Sequence, residues 1–221
     1  MRVSARRGLA AAALALAGCA GGPLPPDWQT NARSALERST TAYLKGDSRV
    51  AAVEFERARG EVARTGRADL VVRVELVRCA ARVASLEPEP CEGFERLRAD
   101  AAAAERAYAD YLAARPQPQD AALLPAPHRA VAASVGADGA DAALRAIEDP
   151  LARLVAAGVL FRANRATPAT IALAIDAASA QGWRRPLLAW LNVQLARAEK
   201  AGDRAEAERL RRRIALVQGG Q

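Results

Sequence analysis

The chain has little of the chemistry that most enzyme sites need. Its 221 residues include a single histidine, His128, and only 4% of them are aromatic. One histidine excludes metal sites built from clustered histidines, and it makes any Ser-His-Asp triad depend on that residue alone. Because His128 lies beside a proline-rich segment, we expect it to be a solvated loop residue.

Common catalytic and cofactor motifs are also missing. The chain has no Gly-rich phosphate-binding loop, no G-x-S-x-G motif and no H-E-x-x-H motif. We therefore predict no cofactor, no metal and no enzymatic activity. The enzymatic alternative is a cell-wall-active hydrolase, since glycan hydrolysis needs only two carboxyl groups at a suitable separation.

No apolar run reaches the roughly 20 residues needed to span a bilayer. A short apolar run at residues 8–17 follows three arginines and ends at Leu16-Ala17-Gly18-Cys19. This leader resembles the signal peptide and lipobox of bacterial lipoproteins. The resemblance implies that residues 1–18 are removed and that Cys19, carrying a diacylglyceryl group, is the first mature residue. A plain secretory signal with an incidental cysteine is the alternative.

The same resemblance implies a location. In bacterial lipoproteins an Asp after the lipidated cysteine often marks retention at the inner membrane, and Ala20 stands there instead. We therefore expect attachment to the outer membrane, facing the periplasm. Residues 19–26 are rich in glycine and proline and form a tether that reaches only about 20–25 Å.

Two further cysteines, Cys79 and Cys91, lie in the mature chain. Disulfides persist outside the cytoplasm, and a loop of this length gives a bond worth about 3 kcal/mol in the chain-entropy model. We predict a structural disulfide. Two free buried thiols or a redox site are the alternatives, although the spacing is not C-x-x-C.

Lysine is almost absent, so the positive charge is nearly all arginine. Without the three leader arginines, 29 basic and 25 acidic side chains leave a net charge of +4, against +7 for the whole chain. So mild an excess in an exported protein does not indicate nucleic-acid binding. Arg209 and Arg211 to Arg213, which alternate with the acids Glu206 and Glu208, are predicted to form a solvated face. The alternative is a structural envelope protein whose Arg-rich face binds anionic lipid headgroups.

Residues 27–221 are predicted to form one all-α domain without a sheet. Apolar residues recur at spacings of three and four, and residues 67–86 are apolar on nearly every face, which is typical of a central helix. A single helix is predicted at 92–114, followed by an irregular proline-rich loop at 115–127. We expect eight to ten antiparallel helices, packed as successive hairpins in one continuous array. The predicted N-caps are Asp27, Asp47, Asp141, Asp149, Thr167 and Asp203.

Two stretches share a sequence pattern. Gly46-Asp47 is followed by Ala51, Phe55 and Ala58, and Gly202-Asp203 is followed at the same offsets by Ala207, Arg211 and Ile214. This resembles the turn and second helix of a tetratricopeptide repeat, in which small residues let paired helices approach. The two copies lie 156 residues apart, which is not a multiple of the repeat length. Ordinary helical hairpins are the alternative.

These observations favour a lipid-anchored, periplasm-facing helical adaptor or scaffold with a protein partner in the envelope. Stacked helix pairs form extended concave surfaces that hold other molecules. We expect such an adaptor to have a groove lined by arginine and aromatic side chains. A cleft with two buried carboxylates would instead favour the hydrolase.

Overall fold

The computed structural model describes residues 25–219, and this part of the chain is helical throughout, without a β-strand. The predicted all-α fold is confirmed. The predicted leader and Cys19 lie outside the described residues. The α-helices are α1 (Asp27–Lys45), α2 (Ser48–Ala63), α3 (Ala68–Ala84), α4 (Glu92–Glu95), α5 (Ala103–Leu112), α6 (Ala126–Ala133), α7 (Gly136–Arg145), α8 (Pro150–Arg162), α9 (Pro168–Ala180), α10 (Arg184–Lys200) and α11 (Arg204–Gly219), with 3-10 helices at Arg98–Asp100 and Pro118–Leu123.

The first and last helical hairpins turn in the same way. Gly46 and Gly202 have positive φ angles of 93° and 73°, a conformation that glycine adopts without steric cost. The following residues, Asp47 and Asp203, each accept the backbone N–H three residues further on, at 3.1 Å and 3.0 Å. The repeated sequence pattern therefore corresponds to a repeated turn.

The first hairpin packs through the residues that the pattern singles out. Ala51, Phe55 and Ala58 are at most 7% exposed, and Phe55 packs in one cluster with Ala32 of α1 and Val74 of α3. The predicted burial of these three residues is confirmed. The small side chains let α1 and α2 approach closely along their length.

Helix α3 is the central helix, as its apolar pattern predicts. Ten of its 17 residues are buried, and it contacts α1, α2, α5 and α8. At its carboxyl end, α3 also contacts α10 from the second half of the chain. There, the indole N–H of the fully buried Trp190 donates to the carbonyl of Ala84 at 3.1 Å.

The domain closes on itself instead of continuing as an open stack. Helix α1 contacts α10, and α3 contacts α8. In a strictly linear array each repeat contacts only its neighbours, so these contacts differ from the continuous array that we expected. Arrangement as true tetratricopeptide repeats stays a prediction.

The predicted single helix at 92–114 is wrong. Helices α4 and α5 are separated by the short 3-10 helix and by extended backbone at Ala101. Arg98 spans the break, with ion pairs of 2.8 Å to Glu95 and 2.7 Å to Asp110. The spacing of three and four does not survive the break: Phe94 and Ala101 are buried, but Ala104, which continues the same spacing, is exposed.

The proline-rich segment at 115–127 is more ordered than predicted. It contains the 3-10 helix at Pro118–Leu123, and α6 begins within it at Ala126. Leu124 is 1% exposed and anchors the segment to the core, whereas ten of its thirteen residues are exposed.

Two of the predicted N-caps are wrong. Asp27 is already the first residue of α1, which follows Pro26. Asp141 lies in the middle of α7, where its buried carboxylate accepts the hydroxyl groups of Thr167 and Thr170, both at 2.6 Å. Asp141 therefore connects α7 to the start of α9, a tertiary role that a capping pattern does not reveal.

Candidate functional site, an arginine and aromatic groove

A groove of 370 Å³ lies between α1, α2 and α3, with the start of α10 at its edge. Tyr43 from α1 and Phe55 from α2 supply aromatic rings, and Arg78, Arg82 and Arg185 supply guanidinium groups. Arg78 and Arg82 share one face of α3 because they are four residues apart. This space is termed the Arg–aromatic groove.

Arg185 holds α10 against the first hairpin. Its Nε donates to the carbonyl of Tyr43 at 2.8 Å, and its Nη2 donates to the Ser48 hydroxyl at 2.6 Å. Its Nη1 lies 3.5 Å from a carboxylate oxygen of Glu87, and the guanidinium carbon lies 4.3 Å from the centre of the Tyr43 ring. Because its nitrogens are already engaged, Arg185 is a structural part of the groove.

Arg82 is also engaged within the fold. Its Nε lies 2.9 Å from Glu87 and its Nη2 lies 3.0 Å from Glu89. Both glutamates belong to the segment that follows α3, so these ion pairs hold that segment against the helix. The carbonyl of Glu87 accepts a further hydrogen bond from Arg162 of α8.

The hydroxyl of Tyr43 is buried near Ser85 and Glu87. Burial, reinforced by the Glu87 carboxylate, raises the pKa of Tyr43, so the phenol keeps its proton. Within residues 25–219 this hydroxyl has no hydrogen bond of good geometry. The Glu87 carboxylate is the acceptor that lies near this hydroxyl.

Arg78 is the available cation of the groove. Its side chain is exposed, and its guanidinium carbon lies 4.5 Å from the centre of the Phe55 ring. In the described part of the chain, no carboxylate forms an ion pair with Arg78, whereas its neighbours Arg59 and Arg82 are paired with Glu75 and Glu87. Arg78 thus combines a free charge with an aromatic support.

A second depression, of 230 Å³, adjoins the groove and shares Arg78 and Arg82 with it. Arg96, which is exposed, also lines this depression. Cys79 and Cys91 also line it, and their Cα atoms are 5.7 Å apart, a separation typical of disulfides. The structure therefore brings together the two cysteines that the sequence predicts to be bonded.

His128 is not the solvated loop residue that we expected. It lies in α6, is 3% exposed, and its ring centre is 5.5 Å from that of Tyr108 and 5.1 Å from that of Tyr111. Burial lowers the pKa of His128 to about 4. The imidazole is therefore neutral at neutral pH and packs as an aromatic core residue. The proline-rich neighbourhood was a poor guide because α6 begins within it at Ala126 and turns His128 and Val131 inward.

Three carboxylates are at most 9% exposed: Glu75, Glu105 and Asp141. Glu75 is paired with Arg59 at 3.0 Å, Glu105 is paired with Arg73 at 2.9 Å, and Asp141 accepts two threonine hydroxyls. Each buried carboxylate thus has a partner within the fold, but the second oxygen of Glu105 is buried without a hydrogen-bond partner among residues 25–219.

Residues 25–219 offer neither a cluster of metal-ligating side chains nor a membrane-spanning helix. No group of three or more His, Cys, Asp or Glu side chains in that range is placed to hold a metal ion. No helix in that range is long and apolar enough to cross a membrane.

Comparisons with protein-family models, with curated proteins and with solved structures found no match to this chain. Its function is therefore inferred from the groove itself.

Proposed function

We propose that this protein is a lipid-anchored helical adaptor of the bacterial envelope, which holds an acidic segment of a partner protein in the Arg–aromatic groove. The observation that carries this proposal is Arg78. This exposed guanidinium lies over the Phe55 ring and has no carboxylate partner among residues 25–219.

The side chains around Arg78 suit an acidic ligand. A guanidinium can bind a carboxylate through two parallel hydrogen bonds, which gives geometric specificity as well as attraction. The Phe55 ring supports Arg78, whose guanidinium carbon lies 4.5 Å from the ring centre. Arg96, which lines the adjoining depression, supplies a second cation for an extended segment with two acidic side chains.

The two cysteines support the same site. The segment between Cys79 and Cys91 includes Glu87 and Glu89, which pair with Arg82. We infer that a disulfide forms between these cysteines outside the cytoplasm. By holding this segment in place, the bond keeps Arg82 occupied and leaves Arg78 as the cation available to the partner.

Lipid attachment at Cys19 completes the proposal. Anchoring the domain at the outer membrane raises its effective concentration for partners on the same surface. An ion pair of modest strength between the exposed Arg78 and an acidic side chain of the partner is then sufficient for binding. Charges at the edge of an interface contribute more to specificity and association rate than to affinity.

Photo-crosslinking from the groove tests this proposal. A photoreactive amino acid at Ala52, which lines the groove and is exposed, should form an adduct with an envelope protein in intact cells. Arg78→Glu should abolish the adduct by placing a negative charge against an acidic ligand. The matched control is Arg212→Glu, which reverses an exposed arginine on α11 and should leave the adduct unchanged.

The crosslinked peptide must also have the expected chemistry. Peptide mapping should find Asp or Glu within a few residues of the crosslink, and added salt should weaken adduct formation because rim charges are screened. An adduct that persists in Arg78→Glu, or a crosslinked segment without acidic residues, would refute the proposed binding mode.

A further inference from the structure

A separate cavity, of 540 Å³, lies on the other side of α3 from the Arg–aromatic groove and its adjoining depression. Leu76, Val77 and Ala80 line it. At 100° per residue these positions lie roughly opposite Arg78 and Arg82 around the helix. The two sites therefore share a helix but use different faces of it.

The interior of this cavity is mainly apolar. Besides α3, its walls come from α5, α8 and the proline-rich segment, including Tyr108, Leu151 and Leu124. Leu123 also lines it and keeps 42% of its surface exposed. Its volume falls within the roughly 300–1,000 Å³ of small-molecule sites, which are typically apolar with a few polar groups.

Four charged side chains border the cavity, and two of them, Arg73 and Glu105, pair with each other at 2.9 Å. Asp149 accepts a backbone N–H at the start of α8 at 2.6 Å. Arg129 likewise makes a hydrogen bond to the backbone: its Nε donates to the carbonyl of Leu124 at 2.8 Å. Among residues 25–219 no carboxylate forms an ion pair with Arg129, so its terminal nitrogens remain available to an anion.

We propose that this cavity binds a medium-chain fatty acid, with the hydrocarbon tail against α3 and α8 and the carboxylate on Arg129. The Leu124 carbonyl holds the Nε edge of Arg129, which leaves both Nη groups to receive the carboxylate oxygens end-on.

The size of the site favours a small molecule over a protein. Fifteen residues line the cavity, whereas each side of a stable protein interface comprises about 20–30 residues. A single unpaired cation beside an apolar cavity matches a ligand with one anionic end and one apolar tail. Affinity should rise by roughly fourfold for each additional CH₂ that the cavity buries.

Photolabelling of the full-length chain in phospholipid nanodiscs tests this assignment. The probe is dodecanoic acid with a diazirine in its tail, and labelled peptides are mapped by mass spectrometry. The label should concentrate at residues 76–80 and 123–129. Unlabelled dodecanoate should compete more strongly than octanoate, and dodecyltrimethylammonium, which has the opposite charge, should not compete.

Two variants test the carboxylate contact and the hydrocarbon contact of the ligand separately. Arg129→Glu should raise the dodecanoate concentration needed for competition by roughly tenfold or more, whereas Arg212→Glu should have no effect. Val77→Trp, at a half-buried wall position, should fill the cavity and abolish the label. Unchanged circular dichroism of each variant confirms that it is folded.

Three results would overturn the assignment. One is label spread over surface peptides without enrichment at the cavity. Another is labelling that neither Arg129→Glu nor Val77→Trp reduces. The third is occupation of the cavity by nanodisc phospholipid or by a second copy of the chain, seen as labelling that unlabelled dodecanoate does not reduce.

Discussion

Burial of His128 couples folding to pH. The rings of Tyr108 and Tyr111 stack against it, and burial lowers its pKa to about 4, although the nearby Asp149 carboxylate acts in the opposite direction. The unfolded chain has an ordinary histidine with a pKa of about 6.5. Between these two values the unfolded state binds a proton that the folded state does not bind.

We therefore expect the free energy of unfolding to decrease as the pH falls from about 6.5 towards 4. The contribution of neutral His128 is fully present above pH 6.5, and about 2 kcal/mol of it is lost between pH 7 and pH 5. Urea unfolding at the two pH values measures this loss. His128→Phe keeps an aromatic ring at the position but cannot bind a proton there, so its loss of unfolding free energy between pH 7 and pH 5 should be smaller by about 2 kcal/mol. If the variant and the unsubstituted protein show the same pH dependence, groups other than His128 cause the loss.

At the scale of helices, α3 and α8 approach most closely at Gly158. A Cβ at this position would lie 2.3 Å from the Val83 carbonyl oxygen and 2.9 Å from its Cγ1. The first of these atoms belongs to the backbone of the central helix, so a rotamer change cannot relieve the contact. Glycine is therefore required here by packing, although it is a poor helix former.

Gly158→Ala should lower the free energy of unfolding by about 2 kcal/mol, because overpacking by one methyl group outweighs the gain in helix propensity. Gly60→Ala is the matched control: Gly60 is exposed in α2, and a Cβ there would have no atom within 4 Å. That variant should be stabilised by up to about 1 kcal/mol. Equal effects in the two variants, measured by denaturant unfolding, would show that the α3–α8 crossing can relax.

The helices were predictable where their signals are local. Asp47, Asp149, Thr167 and Asp203 each accept a backbone N–H three residues further on, as their capping patterns predict. The role of Asp141 was not predictable, because its partners lie 26 and 29 residues further along the chain. Local patterns show how a helix begins, but they do not show what its buried face will contact.

The groove was predictable as a type of site, but its location was not. Arginine and aromatic residues were expected in a partner-binding groove, and Phe55 belongs to a pattern that the sequence shows. The contact between Arg185 and Tyr43 joins residues 142 positions apart, and the sequence offers no signal for it. Arg78 stands out only after the ion pairs of the other arginines are known.

At the scale of the whole molecule, long-range contacts make the two ends of the chain parts of one site. Arg185 connects α10 to the first hairpin, and Trp190 connects the same helix to the end of α3. One edge of the Arg–aromatic groove, at Arg185, therefore depends on the folding of α10 against the first hairpin.

Lipid attachment at Cys19 should place this groove close to the membrane. Helix α1 begins at Asp27, eight residues after Cys19, which corresponds to about 25 Å of extended tether. The groove residues of α1, from Leu36 to Tyr43, lie about 14–24 Å further along the helix, so the site should lie within about 50 Å of the lipid. Cys19→Ala should release the protein into the soluble periplasmic fraction and leave its thermal unfolding unchanged.

The released protein should also form less of the adduct from Ala52, since the tether no longer raises the local concentration of the groove. Adding the purified soluble variant in excess to isolated envelopes should restore the adduct, because the groove itself is intact. Ala20→Ser keeps the cysteine and is the control that should remain on the membrane. A Cys19→Ala protein that still floats with the outer membrane at high salt would show that the anchor lies elsewhere in the chain.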